Sequence, residues 1–417
     1  MAKEAKGAKK GLRVVFVTTS TPRRCGIATF SADLMEAVQG AGDGVEVTVA
    51  AIEARGVGKE GKARTRWHIQ QGEASSYRAA AKAINASDIN IVNVQHEFGL
   101  YGTWKGEVYS DNFKVFLETL DKPVVTTLHT VPSQPSASLR RAVRRAAKHS
   151  DALVVMTQAA VGLLARKYGV EQHVHLIPHG MPVMRPQGRA RAKRRLGLKG
   201  RQVIATFGLV DPRKGLEHMI KAMVEVVARH PRAVYVIAGQ THPDLVRAQG
   251  ERYRNFLQGL VKKLGLEGNV RFANEFLSQQ EVVGLLQASD VYVTPYLDAQ
   301  QVTSGTLAYA LGAGRAVVST PYLHAKEALD GGRGRLVGFG KAKELAAAVN
   351  MILETPELKR GMERRAYAYA KGMVWPQAGV RWVALMHEVL ADRGQKQARM
   401  RTGRAAQAQS RKRQARW

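Results

Sequence analysis

The chain has a single cysteine, Cys25, in 417 residues. That excludes an internal disulfide framework and fits a reducing compartment. No apolar run reaches membrane-spanning length. The opening "MAKEAKGAKKGL" is charged and lacks the apolar core of a secretory leader, so a cytoplasmic location is expected. Acid is scarce as well, with 34 Asp and Glu against 64 Lys and Arg, a net charge of +30. The shortage is sharpest in two places. Residues 188–201 hold seven Lys/Arg and residues 394–417 hold eight, both without an acid. Such a field favours anionic partners: nucleotide diphosphates, acidic lipid or nucleic acid. Aromatics are only 6% of the chain, and the tail has just Trp417, so base stacking has no platform and nucleic acid is not the expected partner. Residues 1–11 and 394–417 read as basic and disordered, having almost nothing apolar to fold on.

Several motifs are also missing. No G-x-G-x-x-G follows the first strand, which argues against a nicotinamide dehydrogenase. There is no Asp-x-Asp and no Cys/His cluster, so no metal site can be named. "GVGKEGKA" at 56–63 approaches a P-loop, but Ala63 stands where Ser or Thr would hold Mg²⁺, and "RTRWHI" after it reads as a strand, not a helix. "QHEFGLYG" at 95–102 starts like a zinc-peptidase helix, yet Leu100 occupies the second His position and Gly99 and Gly102 disfavour a helix.

What is present is an alternation of buried-strand runs and helices. "LRVVFVTTS", "VEVTVAAI", "INIVNVQHE", "KPVVTTLHT", "SDALVVMT" and "VHLIPHGMP" read as strands of a first unit. A basic, strandless stretch at 188–201 follows. The pattern then restarts with "RQVIATFGLV", "AVYVIAG", "NVRFAN" and "VYVTPY", separated by helices, one of them long and ending at Leu264. The pattern implies two parallel α/β sheets. The predicted units are residues 12–187, a linker at 188–201, residues 202–370, a C-terminal helix at 371–393 and the tail at 394–417. Ligands of open parallel sheets bind beyond the carboxyl ends of the strands, so the candidates are residues just after strands.

In "TPRRCGIATF", Gly26 permits a close backbone approach, Arg23 and Arg24 add charge, and Thr29 lies in the first helical turn, which suits an anion or a sugar. His129 ends a strand and can bond a ligand hydroxyl. Glu97 reads either as a hydroxyl-binding carboxylate or as a structural charge. In "FGLVDPRKG", Arg213 can grip two oxygens and Lys214 supplies a point charge, as a diphosphate requires. In "TSGTLAYALGAGRAVVSTP" at 303–321, Ser304, Gly305 and Thr306 open a helix whose N–H groups suit phosphate.

With these residues in place, the chain resembles a retaining glycosyltransferase of family GT4, with the two facing Rossmann-like domains of the GT-B fold. The resemblance rests on "TPRRCGIATF", "VVTTLHT", "IPHG", "FGLVDPRKG", "VIAG", "ASDVYVTPY" and the 303–321 stretch, in the family's order across roughly 12–390. It implies an acceptor domain at 12–187, a nucleotide-sugar domain at 202–370 and C-terminal helices that cross back to the first domain. It also implies a hexosyltransferase in carbohydrate biosynthesis. The donor is a nucleotide-diphosphate sugar and the acceptor a saccharide, a lipid-linked molecule or a small molecule. No cofactor or metal is expected. Peripheral contact with an anionic membrane at its inner face is a further expectation, motivated by the basic stretches and by "SLRRAVRRAAKH" at 138–149.

Residue by residue, Lys214 matches the family's diphosphate lysine. Leu209 stands where its arginine is usual, so Arg213 is expected to substitute. His129 matches the histidine near the donor sugar, and Gly26 the glycine loop. His179 replaces the usual Asn of "IPHG". Two glutamates eight positions apart, usual in the family, are replaced by Gln301 and Tyr309. Gln301 is expected at the sugar and Tyr309 at the nucleoside, with Phe276 and Leu277 beside it. Glu97, Arg24 and Thr29 are expected on the acceptor or sugar side. The mechanism implied is front-face retention, in which the departing phosphate takes the acceptor's proton. His129, Gln301 and Lys214 are the catalytic candidates. The competing expectation, raised by the lost glutamates, is a catalytically weak scaffold that binds an anionic partner or membrane surface.

Overall fold

The computed structural model describes residues 11–21, 23, 25–54, 64–184 and 188–414. Arg24 and the near-P-loop at 56–63 therefore lie outside the described residues. The first domain is built on strands β1 (Leu12–Thr18), β2 (Val45–Glu53), β3 (Thr65–Gln70) and β4 (Ile91–His96), a small hairpin of β5 (Gly102–Lys105) and β6 (Val108–Asp111), then β7 (Val124–Leu128), β8 (Ala152–Val155) and β9 (Val174–Leu176). Its main sheet runs β3-β2-β1-β4-β7-β8-β9, and every neighbouring pair is parallel. The second sheet uses β10 (Gln202–Phe207), β11 (Ala233–Ala238), β12 (Val270–Ala273), β13 (Val291–Thr294), β14 (Ala316–Ser319) and β15 (Gly334–Leu336) in the order β12-β11-β10-β13-β14-β15, again all parallel. Helices cover both faces of each sheet, which is why β1 and β11 read as unbroken apolar runs rather than alternating ones. The fold is GT-B, as expected. The order reverses at β1/β4 and at β10/β13, and the loops leaving those strands meet in one interdomain cleft.

Several expectations need revision. The β5–β6 hairpin and β15 escaped notice because they are short and largely solvent-facing. The long helix ending at Leu264 is two helices, Pro243–Gln249 and Arg252–Lys263, broken where Gly250 turns to φ 61°. Residues 188–201 are not a plain linker. They form the helix Arg189–Arg195, and Lys193 Nζ meets Asp290 Oδ2 at 2.5 Å while Arg189 pairs with Glu363. That basic charge is partly spent inside the second domain.

The C-terminal segment also differs. One helix runs from Trp375 to Gln414, through the stretch expected to be a disordered tail from 394. Ala, Arg, Gln and Lys are strong helix formers, and local propensity carries the helix on where no apolar face remains. Its first half returns to the first domain. Trp375, Ala378, Trp382, Leu385, Met386 and Val389 share a core with Phe16, Phe30, Leu34 and Val38. The helix lies so close to Gly26–Gln39 that a Cβ on Gly379 would sit 2.2 Å from the Ala37 carbonyl oxygen. The domains also meet where Glu327 accepts the backbone N–H groups of Gln158 and Ala159 at 2.9 and 2.8 Å.

Trp382 is 2% exposed in this seam and Val380, two residues away, is 56% exposed. Trp382→Ala is expected to cost about 3–5 kcal/mol, seen in urea denaturation as an earlier loss of the first domain. Val380→Ala should leave the curve unchanged.

Candidate functional site

The cleft encloses about 1760 Å³ and is lined from both domains. On the second-domain side, β10 ends in a loop that turns through a short 3-10 segment, Pro212–Lys214. Gly215 then adopts φ 58°, and a Cβ there would lie 2.3 Å from the Pro295 carbonyl oxygen. Only glycine fits, and this presses Lys214 against the loop after β13. Lys214 Nζ stands 3.7 Å from the centroid of the Tyr296 ring. Among the described residues no carboxylate lies within salt-bridge distance of it. Burial pushes the ammonium down to about 8, with Asp211 opposing and Arg213 assisting the shift. The Tyr296 hydroxyl reaches Thr306 Oγ1 at 2.7 Å, and Thr306 Oγ1 meets Ser304 Oγ at 3.1 Å. The lysine and the opening of helix Gly305–Gly312 therefore form one connected wall.

Two of the expected phosphate ligands are occupied in ways the sequence did not reveal. The Ser304 N–H donates to His324 Nδ1 at 2.8 Å, and the Ser304 hydroxyl caps the Leu307 N–H. Ser304 is thus a cap, and the N–H groups of Gly305 and Thr306 are left without an intrahelical acceptor. Arg213 lies in the cleft, but its guanidinium grips Asp211 with Nε–Oδ1 at 2.9 Å and Nη2–Oδ2 at 3.0 Å. It adds field to the site rather than a free two-oxygen fork.

On the first-domain side, helix Gly26–Gln39 begins after Cys25, whose Sγ accepts the Ala28 N–H. A Cβ on Gly26 would meet nothing within 4 Å, so the protein itself does not require glycine there. Thr29 is turned inward at the same opening and bonds the Cys25 carbonyl. His129 Nε2 and Gln95 Oε1 are 2.9 Å apart, and Gln95 Nε2 donates to Asn93 Oδ1 and Thr127 Oγ1. That network assigns the proton to Nε2 and leaves Nδ1 as an acceptor. Burial, reinforced by nearby His179 and His96, drives His129 to about 3, so it is neutral at ordinary pH. His179 is driven to about 4 by burial, and its Nδ1 donates to the Gly180 carbonyl at 2.6 Å. Phe30 makes edge contacts with His129, His179 and Trp375. The floor of the cleft is therefore aromatic and uncharged.

Glu97 accepts from the Thr130 hydroxyl at 2.6 Å and from the Phe98 N–H at 3.0 Å, and burial raises its carboxyl above the ordinary range. It caps its own short helix and still lines the cleft. Gln301 Nε2 donates to the Thr303 carbonyl at 3.0 Å. Phe276, Leu277 and Tyr309 line the same cavity. The cleft thus brings together every described candidate except Ser304, which lies just beneath it. Asp33, Gln279, Tyr296 and His324 were missed. Tyr296 alone had a signal, its place directly after a strand in "VYVTPY". Among the described residues no cluster of metal-ligating side chains occurs and no helix is long and apolar enough to cross a membrane.

The family described as "Glycosyltransferase Family 4" matches residues 24–185, and "Glycosyl transferases group 1" matches residues 188–369. The chain belongs to glycosyltransferase family 4. Among its relatives is the phosphatidyl-myo-inositol mannosyltransferase of Mycolicibacterium smegmatis, 28% identical over 256 residues, which are 60% of this chain and 61% of the relative. Another is the D-inositol 3-phosphate glycosyltransferase of Acidothermus cellulolyticus, 28% identical over 298 residues, 65% and 63% of the two chains. The match spans about three-fifths of these relatives' length. In fold, the chain is similar to Anabaena HepE solved with UDP and glucose, with a TM-score of 0.71 at 17% identity over 91% of this chain and 100% of that one. Sucrose-phosphate synthase of Thermosynechococcus elongatus gives 0.73 at 16% identity over the same shares.

Two outcomes follow from this family-4 cleft. The Lys214 ammonium, held near 8, carries its charge below that value and loses it above. Binding of a nucleoside diphosphate, whose own last ionisation near ~6 is complete by pH 7.5, should weaken as pH rises from 7.5 to 9. The decline should vanish in Lys214→Arg, whose charge persists; calorimetric titration across that range checks it. Gly26→Ala should leave the melting temperature within about 2 °C, since the added Cβ meets no protein, while lowering nucleoside diphosphate affinity by filling the approach.

Proposed function

We propose that the protein is a retaining glycosyltransferase. It moves a sugar from a nucleotide-diphosphate sugar to a hydroxyl of a polyhydroxylated acceptor, without a metal ion. The observation that carries this reading is the Lys214 ammonium. It stands on the Tyr296 ring, unpaired with any described carboxylate, next to the helix opening at Gly305 and Thr306. A half-buried cation without its own anion is costly, and a diphosphate supplies that anion.

The chemistry then needs few groups. The bond between the sugar's anomeric carbon and the leaving diphosphate oxygen breaks. The acceptor oxygen bonds the same carbon from the same face. The acceptor's proton passes to the departing phosphate oxygen, so no protein base is required. Lys214 and the N–H groups of Gly305 and Thr306 stabilise charge on the diphosphate, with Arg213 adding field. Neutral His129, with Nδ1 as acceptor, and Gln301 hold sugar hydroxyls. Glu97 and Thr29 face the acceptor side. Phe276, Leu277 and Tyr309 face the nucleoside. The inositol-containing names of the relatives support a polyol acceptor.

The loss of both usual glutamates to Gln301 and Tyr309 favours a second reading, a protein that binds the donor but transfers poorly. One experiment separates them. The protein is screened by thermal shift against nucleoside diphosphates and nucleotide-sugars, beside Lys214→Ala. The stabilising donor is then incubated with myo-inositol and inositol phosphate acceptors, and the product anomer is read by NMR. The expected result is a single preferred base, lost in Lys214→Ala, with a product of retained configuration whose formation EDTA does not slow. Binding without product supports the second reading. No stabilisation by any nucleotide in folded protein would overturn both.

A further inference from the structure

The domains touch at a second place besides the returning C-terminal helix. Helix Leu323–Leu329 of the second domain lies against helix Gln158–Leu163 of the first. The Gln158 N–H donates to Glu327 Oε1 at 2.9 Å and the Ala159 N–H to Glu327 Oε2 at 2.8 Å. The next N–H, of Ala160, donates to Thr157 Oγ1 at 3.2 Å. The start of a first-domain helix is thus completed by a carboxylate from the other domain, where the helix dipole favours negative charge. Leu323, one turn before Glu327 on the same stripe, packs with Val302 into the first-domain core around Leu128, Val131 and Leu163.

The same helix also holds the cleft. The Leu323 N–H donates to the Ala299 carbonyl at 3.3 Å and the His324 N–H to the Gln301 carbonyl at 3.1 Å. His324 Nδ1 accepts the Ser304 N–H. Burial drives His324 to about 3, so the ring is neutral and Nδ1 keeps the lone pair this bond needs. Asp298, Gln300, Gln301 and Thr303 line the cleft, and helix Gly305–Gly312 opens directly after them. Other bonds of this loop are internal. The Gln300 and Gln301 N–H groups turn back to Asp298, and Gln301 Nε2 to Thr303. Its placement therefore depends on helix Leu323–Leu329. His324 and Glu327 are three residues apart, about 4.5 Å of helix rise. Over that distance a helix moves as one piece, so a shift at Glu327 is a shift at His324.

We propose that Glu327 is a positioning residue for the transfer. By gripping the start of helix Gln158–Leu163 it fixes helix Leu323–Leu329, which sets the loop at 298–304 and the opening at Gly305. This rests on the nucleotide-sugar reading above and adds a regulation of that site: the phosphate wall is in register only while the domains are clasped at Glu327. Such coupling is reciprocal. A nucleotide that orders the loop tightens the clasp, and the clasp raises affinity for the nucleotide.

Hydrogen exchange on the full chain, read by mass spectrometry, tests this in the parent, Glu327→Ala, Glu327→Gln and Lys326→Ala. Lys326 is the exposed neighbour of Glu327 and serves as control. Without ligand, Glu327→Ala should speed exchange across 298–307, which Glu327 does not touch, by about fivefold or more, as for an easier local opening. Glu327→Gln keeps one carbonyl acceptor and should lie between Glu327→Ala and the parent, and Lys326→Ala should match the parent. Peptides over Gln202–Phe207 and Val291–Thr294 should be unchanged throughout and report an intact fold. If Glu327→Ala loosens them, Glu327→Gln carries the same comparison. The nucleoside diphosphate that stabilises the protein should slow exchange at 158–160 in the parent but not in Glu327→Ala, whose affinity for it by calorimetry should be about tenfold weaker. Unchanged exchange across 298–307 in a folded Glu327 variant, or no slowing at 158–160 in a parent that binds the nucleotide, overturns the inference and leaves the transferase reading in place. A parent that binds no nucleoside diphosphate overturns both.

Discussion

The arrangement of this molecule depends on one close packing, the return of the C-terminal helix onto helix Gly26–Gln39. Gly379 lies against the Ala37 carbonyl with no room for a side chain. Gly180 lies against the Trp375 ring in the same way, where a Cβ would come within 2.1 Å. Two glycines therefore let a helix that follows the second domain in sequence become part of the first domain's core. The consequence is positional. Trp375 contacts Phe30 and His179, and those rings contact His129 and Tyr309. An aromatic floor made from both domains sets how far apart the walls of the cleft stand.

On that floor the electrostatics are simple. His129, His179 and His324 are all pushed by burial to about 3 or 4 and carry no charge at working pH. Arg213 is paired with Asp211. Among the described residues Lys214 and Arg23 line the cleft without a carboxylate partner: Arg23 bonds the Gln71 amide oxygen, while Lys214 is softened by burial and rests on Tyr296. A net charge of +30 thus narrows, among the described cleft residues, to the Lys214 ammonium, the Arg23 guanidinium and two helical N–H groups. Much of the remaining basic charge does structural work elsewhere. Asp290 alone holds Lys193 and Lys359, with Arg189 nearby. Total charge says little about the site, and local pairing decides it.

The sequence made the fold legible because both sheets are parallel and covered on both faces, so their strands are continuous apolar runs that periodicity detects. β5, β6 and β15 are short and partly exposed and gave no such run. The Lys-Gly pair was legible too, since a backbone constraint leaves a mark in residue choice: Gly215 has to be glycine. The pairings were not. Nothing in "SADLMEAVQG" marks Asp33 as the partner of Tyr309, 276 positions away, because that contact is created by domain packing. For the same reason Ser304 was read as a phosphate ligand. Its N–H is taken by His324, twenty residues on, whose side chain reaches back across the following strand and loop. The helical continuation to Gln414 was missed because an absent apolar face was read as disorder, whereas helix propensity favours a helix there.

On this reading a nucleotide diphosphate binds in the interdomain cleft against Lys214 and the opening of helix Gly305–Gly312. A crystal structure of the protein soaked with the nucleoside diphosphate that stabilises it tests this most directly. Phosphate oxygens are expected within hydrogen-bond distance of Lys214 Nζ and of the Gly305 and Thr306 N–H groups, with the base towards Phe276 and Leu277. A nucleotide bound with its phosphates away from Lys214, or on a surface outside the cleft, would contradict it.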